Sequence, residues 1–202
     1  MKSTIRQALN KAFLKVKPSR KAMDGFKATL HTFLQRIDPA KMEEFNKNLL
    51  IDFFKTFDFQ SNYFINTKGR TDLVIHQGKT AKTPVAVMIE VKRPNNKVEM
   101  PTSQNLNCKA MQELVLYYLR ERITDNNLAM KHLIITDTLQ WFVFDAAEFE
   151  KHFASDKKLV QQFQDFEAGN LSGKKTDFFY NNIAKAAIEK VQKELIFRVI
   201  QR

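Results

Sequence analysis

The chain has 202 residues, enough for one α/β domain with a helical appendage. Its 44% hydrophobic content excludes a disordered polymer, and its single cysteine, Cys108, excludes an internal disulfide or a multi-cysteine metal site. The net charge of +11, from 33 basic and 22 acidic residues, points to a polyanionic partner, nucleic acid before an anionic membrane.

Apolar residues recur at helical spacing over residues 3–16, in Ile5, Leu9, Ala12, Phe13 and Val16. Ser3 is the expected cap and Pro18 the stop. A second helix is expected over 20–37, with Met23, Phe26, Leu30, Phe33, Leu34 and Ile37 in one stripe. Asp38-Pro39 opens a third, which runs to about residue 57. Residues 62–66 read as a first strand. Asn66-Thr67-Lys68-Gly69 reads as a turn and 71–76 as the hairpin partner. A polar turn leads to the strand 85–92, a run of apolar residues suited to a buried position. These three strands suggest an antiparallel meander.

A helix over 108–123 follows, then strands at 132–137 and 140–145. Helices are expected over 146–153 and 157–166, and a long amphipathic helix over 179–201. The result is an α/β architecture: a central mixed sheet of about five strands flanked by helices. Its expected parts are an N-terminal helical segment (1–58), a core (59–155) and a C-terminal helical segment (156–202). No signal segment and no membrane-length apolar run is legible, so a cytoplasmic location without membrane partners is expected.

The chemistry gathers at the strand 85–92. After Val85-Ala86-Val87-Met88-Ile89 come Glu90 and Lys92, two charges on one face of a strand that Pro94 ends. Asp72 stands at the start of the preceding strand. Buried charges are costly unless paired or used. Two carboxylates on neighbouring strands suit Mg²⁺, a hard cation with oxygen ligands. Asp72 and Glu90 are the candidate ligands, with the main-chain carbonyl of Val91 as a third, and Lys92 is the candidate for orienting or deprotonating a water. The competing reading is a structural ion pair between Lys92 and Glu90 or Asp72. The four histidines lack metal-ligand spacing, and no phosphate-cradling glycine loop is present.

Asp72 followed by Glu90-x-Lys92 resembles the PD-(D/E)xK nuclease signature. The longer stretches Asn66–Ile75 and Ile89–Pro94 look like the N-terminal nuclease domain of type IIG restriction-modification enzymes. Asn107-Cys108-Lys109-Ala110-Met111-Gln112-Glu113-Leu114, Tyr117-Tyr118-Leu119-Arg120-Glu121-Arg122, His132-Leu133-Ile134-Ile135-Thr136 and Trp141-Phe142-Val143-Phe144-Asp145 continue the likeness. Thr71 stands where the motif name has proline.

The resemblance implies a restriction-endonuclease-like fold and Mg²⁺-dependent cleavage of double-stranded DNA, with Mn²⁺ as a possible substitute. The implied catalytic set is Asp72, Glu90 and Lys92. It also implies an acidic residue from a preceding helix. Helical phase favours Glu43 there and the family pattern favours Glu44. Gln112 or Glu113 of the next helix is a further candidate. Methyltransferase and target-recognition motifs are absent from these residues, so those parts are expected in a longer chain or in separate partners. The alternatives are a repair or recombination nuclease of the same superfamily and a non-catalytic DNA-binding domain.

Overall fold

The computed structural model describes residues 15–56, 62–69 and 71–201. The helix expected over 3–16 lies almost entirely outside the described residues.

Ser19 caps the first described helix, α1 (Arg20–Arg36), its hydroxyl accepting from the Ala22 N–H at 3.2 Å. The next helix, α2, spans Glu43–Thr56. It begins later than Pro39 suggests. The Asp38 side chain accepts from the Ala40 N–H at 2.9 Å, folding that stretch into a local turn before the helix.

Strands β1 (Ile65–Lys68), β2 (Thr71–His76) and β3 (Val85–Val91) form the expected antiparallel meander, with β1 three residues later than its sequence signal. Gly69, at φ 59°, closes the β1–β2 turn in a conformation that favours glycine.

Helix α3 (Lys109–Leu119), extended by a wide turn at Arg120–Thr124, carries the chain across to β4 (His132–Thr136). β4 runs parallel to β3, which is why the connection needs a crossover helix. β5 (Gln140–Asp145) returns antiparallel to β4. Helices α4 (Ala146–Phe149), α5 (Lys157–Glu167), α6 (Thr176–Phe179) and α7 (Lys185–Val191) follow. Wide turns at Glu150–Ala154 and Tyr180–Ala184 continue α4 and join α6 to α7.

The expected long helix over 179–201 is replaced by this shorter helical stretch and a sixth strand, β6 (Phe197–Gln201), antiparallel to β5. The sheet is therefore mixed and six-stranded, in the order β1-β2-β3-β4-β5-β6, rather than five-stranded. Burial explains the change. Phe197 is buried against Phe142 and Phe144, with ring centroids 5.9 and 5.8 Å apart. That packing outweighs the helical period of the preceding residues.

Alternation along the strands builds two apolar layers. Val74, Met88, Leu133, Ile135, Phe142 and Phe144 face α3 and the C-terminal helices. Leu73, Ile75, Ile89 and Val91 face Phe33, Leu49 and Leu50 of α1 and α2. β2 and β3 are thus covered on both sides, which accounts for their unbroken apolar runs. α3 is buried around nearly its whole circumference. Truncating one of its central residues, as in Leu116→Ala, is expected to cost about 2–5 kcal/mol. The phenylalanines of the C-terminal helices (Phe149, Phe153, Phe163 and Phe179) are core.

Candidate functional site

The central strands deliver charge to one point. β2 and β3 pair with Leu73 opposite Ile89, and one step further along this register Asp72 stands beside Glu90. Leu73 and Ile89 face α1 and α2, so Glu90 turns to the α3 side, while Asp72, at the end of β2, is also within reach of α2. Lys92 lies just past β3, where its N–H donates to Thr136 O at 2.8 Å. Pro94 and Asn95, at φ 68°, then turn the chain away.

Lys92 is 4% exposed and Glu90 3%. Lys92 Nζ donates to Glu90 Oε1 at 2.8 Å and lies 2.7 Å from Glu113 Oε2 of α3. The ammonium thus bridges the two carboxylates, which are themselves within hydrogen-bonding reach of one another, and Glu90 Oε2 is buried without a donor of its own. Asp72 Oδ2 accepts from the Val91 N–H at 2.9 Å, which fixes the carboxylate against β3. Lys47 of α2 reaches Asp72 Oδ1 at 3.8 Å.

Carboxylates outnumber ammonium groups here, and the proton affinities follow. Burial raises the Glu90 carboxyl well above its ordinary range. Lys92 offsets part of this, and the charges of Asp72 and Glu113 add to it. Burial also raises Asp72, against the Val91 N–H and the two lysines. Burial alone would lower Lys92, but Glu90 and Glu113 more than reverse it and hold the ammonium above the usual lysine range.

The other expected residues divide. Glu43 begins α2 on the side of the cluster. Burial raises its carboxyl, Lys92 lowers it, Asp72 raises it and the Arg93 N–H lowers it. Glu44 turns outward, its side chain 65% exposed, and pairs with Lys47, one step removed from Asp72. Gln112 donates to Asn107 Oδ1 at 3.1 Å, and its neighbour Glu113 is the residue that meets Lys92. Val91 meets Asp72 through its N–H.

Lys47 and Tyr117 are residues that sequence reasoning leaves aside. Tyr117 is buried and hydrogen-bonded to Tyr180, and its hydroxyl is raised by burial first, then by Tyr180 and the Glu90 charge. The helical phase of Lys47, four residues after Glu43, was the available signal. Cys108 is buried, and burial pushes its thiol up to about 11.

A cleft of about 460 Å³ opens at the end of β3, lined by Asn95, Lys97, Thr102, Asp137 and Gln140 over Met100, Pro101 and Leu139. Beside it Thr138 holds φ 75°, a strained conformation for a β-branched residue. Thr136 Oγ1 accepts from its N–H at 2.9 Å, and Asp137 Oδ1 accepts from the Leu139 and Gln140 N–H groups at 3.0 and 2.7 Å. Arg120 and Arg122 are engaged by Glu167 and Glu150, and Lys109 by Glu99.

Among the described residues, no group of three or more His, Cys, Asp and Glu side chains forms a ready metal cage. The donor set nonetheless suits a hard cation of low protein coordination. Mg²⁺ is commonly held by one or two carboxylates with waters and substrate phosphates, and Glu90 Oε2 is a buried carboxylate oxygen without a hydrogen-bond partner. No described helix is long and apolar enough to cross a membrane.

No curated protein and no solved structure matches this chain. Residues 3–201 match the family described as a domain of unknown function, DUF7149, and the chain belongs to that family.

Proposed function

We propose that this protein is a restriction-endonuclease-like, metal-dependent nuclease that hydrolyses phosphodiester bonds in double-stranded DNA. One observation carries the reading: Asp72 and Glu90 stand side by side on adjacent strands, with Lys92 on the same buried face and one Glu90 oxygen unpartnered. The charge of +11 on the chain supports a polyanionic substrate.

Asp72 and Glu90 would hold Mg²⁺, or Mn²⁺ in its place, with the carbonyl of Val91 as a further oxygen donor. The bound ion supplies Lewis acidity toward phosphate and toward an attacking water. The residues do the rest. The Val91 N–H fixes the orientation of Asp72. Lys92 keeps its proton between Glu90 and Glu113, which suits it to neutralise charge developing on phosphate better than to act as a base. Glu43, rather than Glu44, is the helix carboxylate placed to assist.

In the restriction-modification setting that the resemblance implies, methyltransferase and target-recognition parts, linked or associated, would position the DNA. A repair or recombination nuclease is the alternative within the superfamily, separated by substrate preference.

A non-catalytic DNA-binding domain is the second reading. The pairing of Lys92 with both Glu90 and Glu113 favours it.

Calorimetry with Mn²⁺ and Mg²⁺ on the full chain, beside Asp72→Ala and Glu90→Ala, tests the proposal. Binding in the wild type, lost in both folded variants and accompanied by metal-dependent cutting of duplex DNA, is the expected result. Salt-dependent DNA binding with no cation binding, even with DNA present, would establish the non-catalytic reading.

A further inference from the structure

We propose that Glu113 is a positioning residue that keeps the Lys92 ammonium paired when a divalent cation takes Glu90. The inference rests on the reading of Asp72 and Glu90 as cation ligands.

Glu90 Oε1 already holds an ammonium at 2.8 Å. A divalent cation on the same carboxylate would be repelled by that charge at close range. Lys92 is 4% exposed and cannot withdraw into water, and leaving it unpaired in the interior is strongly unfavourable. Glu113 removes the difficulty. It comes from α3 rather than from the sheet, is itself buried, and places Oε2 2.7 Å from Lys92 Nζ. That contact is as short as the one to Glu90, so the ammonium already has a second partner in place. Turning Lys92 from Glu90 toward Glu113 frees Glu90 Oε1 beside the unpartnered Oε2. The exchange breaks one ion pair and keeps the other without exposing a charge.

A merely structural Glu113 and a cation-ligating Glu113 predict different couplings. Mn²⁺ affinity is measured by calorimetry on the full chain for the wild type, Glu113→Gln, Lys92→Met and the double variant, with circular dichroism as the check of fold. The expected pattern is a loss of about tenfold for Glu113→Gln, wild-type or tighter affinity for Lys92→Met, and a change of about threefold or less when Glu113→Gln is added to Lys92→Met.

Glu113→Asp, which withdraws the carboxylate by one methylene, should fall between wild type and Glu113→Gln. It supplies the reading should Glu113→Gln fail to fold. Equal losses from Glu113→Gln in both backgrounds would make Glu113 a ligand and overturn the proposal. Wild-type affinity in both Glu113→Gln and Glu113→Asp would overturn it while leaving the cation site standing. Absence of Mn²⁺ binding in the wild type and in Lys92→Met would remove the cation reading and this inference together.

Discussion

Two lysines in this protein each sit between two carboxylates at the two ends of α3. At its far end Lys68 contacts Glu121 and lies 2.8 Å from Asp125 Oδ2. At its start Lys92 lies between Glu90 and Glu113. The first cluster is closed. Glu121 Oε2 accepts from Asn127 Nδ2 at 3.0 Å, Asn127 also donates to Val85 O, and the Lys68 side chain is 41% exposed to water. The ammonium at the end of the helix also complements its dipole. The second cluster is buried, carries Asp72 as a further carboxylate, and leaves Glu90 Oε2 without a partner. Similar side chains thus make a strut in one place and an electrostatically unbalanced centre in the other. The difference lies in what surrounds the carboxylates.

The largest expected effect separates the two clusters by cation binding. Asp72→Ala and Glu90→Ala should each weaken Mn²⁺ binding by about a hundredfold or more and remove metal-dependent cleavage of DNA. Glu121→Ala should leave cation affinity unchanged. A loss of Mn²⁺ binding in Glu121→Ala would erase the distinction.

The same isosteric change should then act with opposite sign on stability. Glu121→Gln weakens a pair whose partners are satisfied, and is expected to destabilise by about 1–3 kcal/mol. Glu90→Gln removes surplus negative charge from the interior and keeps an oxygen for Lys92. It is expected to stabilise the cation-free protein by about 1 kcal/mol while removing activity, as substitutions at functional sites often do. Urea denaturation in the presence of a chelator measures both. Two losses of similar size would mean that Glu90 and Lys92 are also a strut.

Proton linkage sharpens the contrast further. The folded-state affinity of Glu90 for a proton is raised, first by burial. Its contribution to stability is therefore fully present below its unfolded pKa and is lost as pH rises through the folded value, above the ordinary glutamate range. Lys68 is raised as well, because Asp125 and Glu121 overcome its burial. Its contribution is lost only as pH rises through a value above the usual lysine range. As pH rises above the ordinary glutamate range the cation-free protein should lose stability through Glu90 and its neighbours Asp72 and Glu43, whose carboxyls burial also raises, while His132, lowered by its own burial, acts in the opposite sense. Saturating Mn²⁺ should cancel that loss, because it holds the ionised form. The thermal shift caused by Mn²⁺ should thus be several degrees larger at higher pH. Equal shifts would exclude Glu90 as the group that binds.

Much of this was legible in the residues, for definable reasons. Strand alternation alone puts Glu90 and Lys92 on one face, and the polar turn that joins β2 to β3 makes Asp72 the neighbour of Glu90. The Lys92–Glu90 ion pair was legible as well, as the competing structural reading. β6 was not. Residues 179–201 carry a helical apolar period, and what makes a strand of Phe197–Gln201 is the edge of β5 and the rings of Phe142 and Phe144, which only the folded sheet supplies. The unsatisfied oxygen of Glu90 is likewise a property of packing. Sequence distinguishes a charged residue from an apolar one, but it does not count hydrogen-bond partners.

The choice between Glu43 and Glu44 is the finest case, and it carries the smallest expected effect. Adjacent residues on a helix lie about 100° apart, so only one of the two faces the sheet. The phase set by Leu50 and Phe54 selects Glu43, and the burial and Asp72 charge that raise its carboxyl agree. Glu44 sits outside, held by Lys47, whose other contact is Asp72. Glu43→Gln should therefore lower Mn²⁺ affinity by a few-fold, since it removes a negative charge near the ligands without removing a ligand. Glu44→Gln should change affinity by less than about twofold and stability by less than about 0.5 kcal/mol, because an exposed pair of this kind contributes little. Calorimetry on the two single variants decides it. A larger effect from Glu44 would mean that Lys47, released from its outer partner, rearranges against Asp72, and the cluster would then extend one residue further into α2 than its buried atoms indicate.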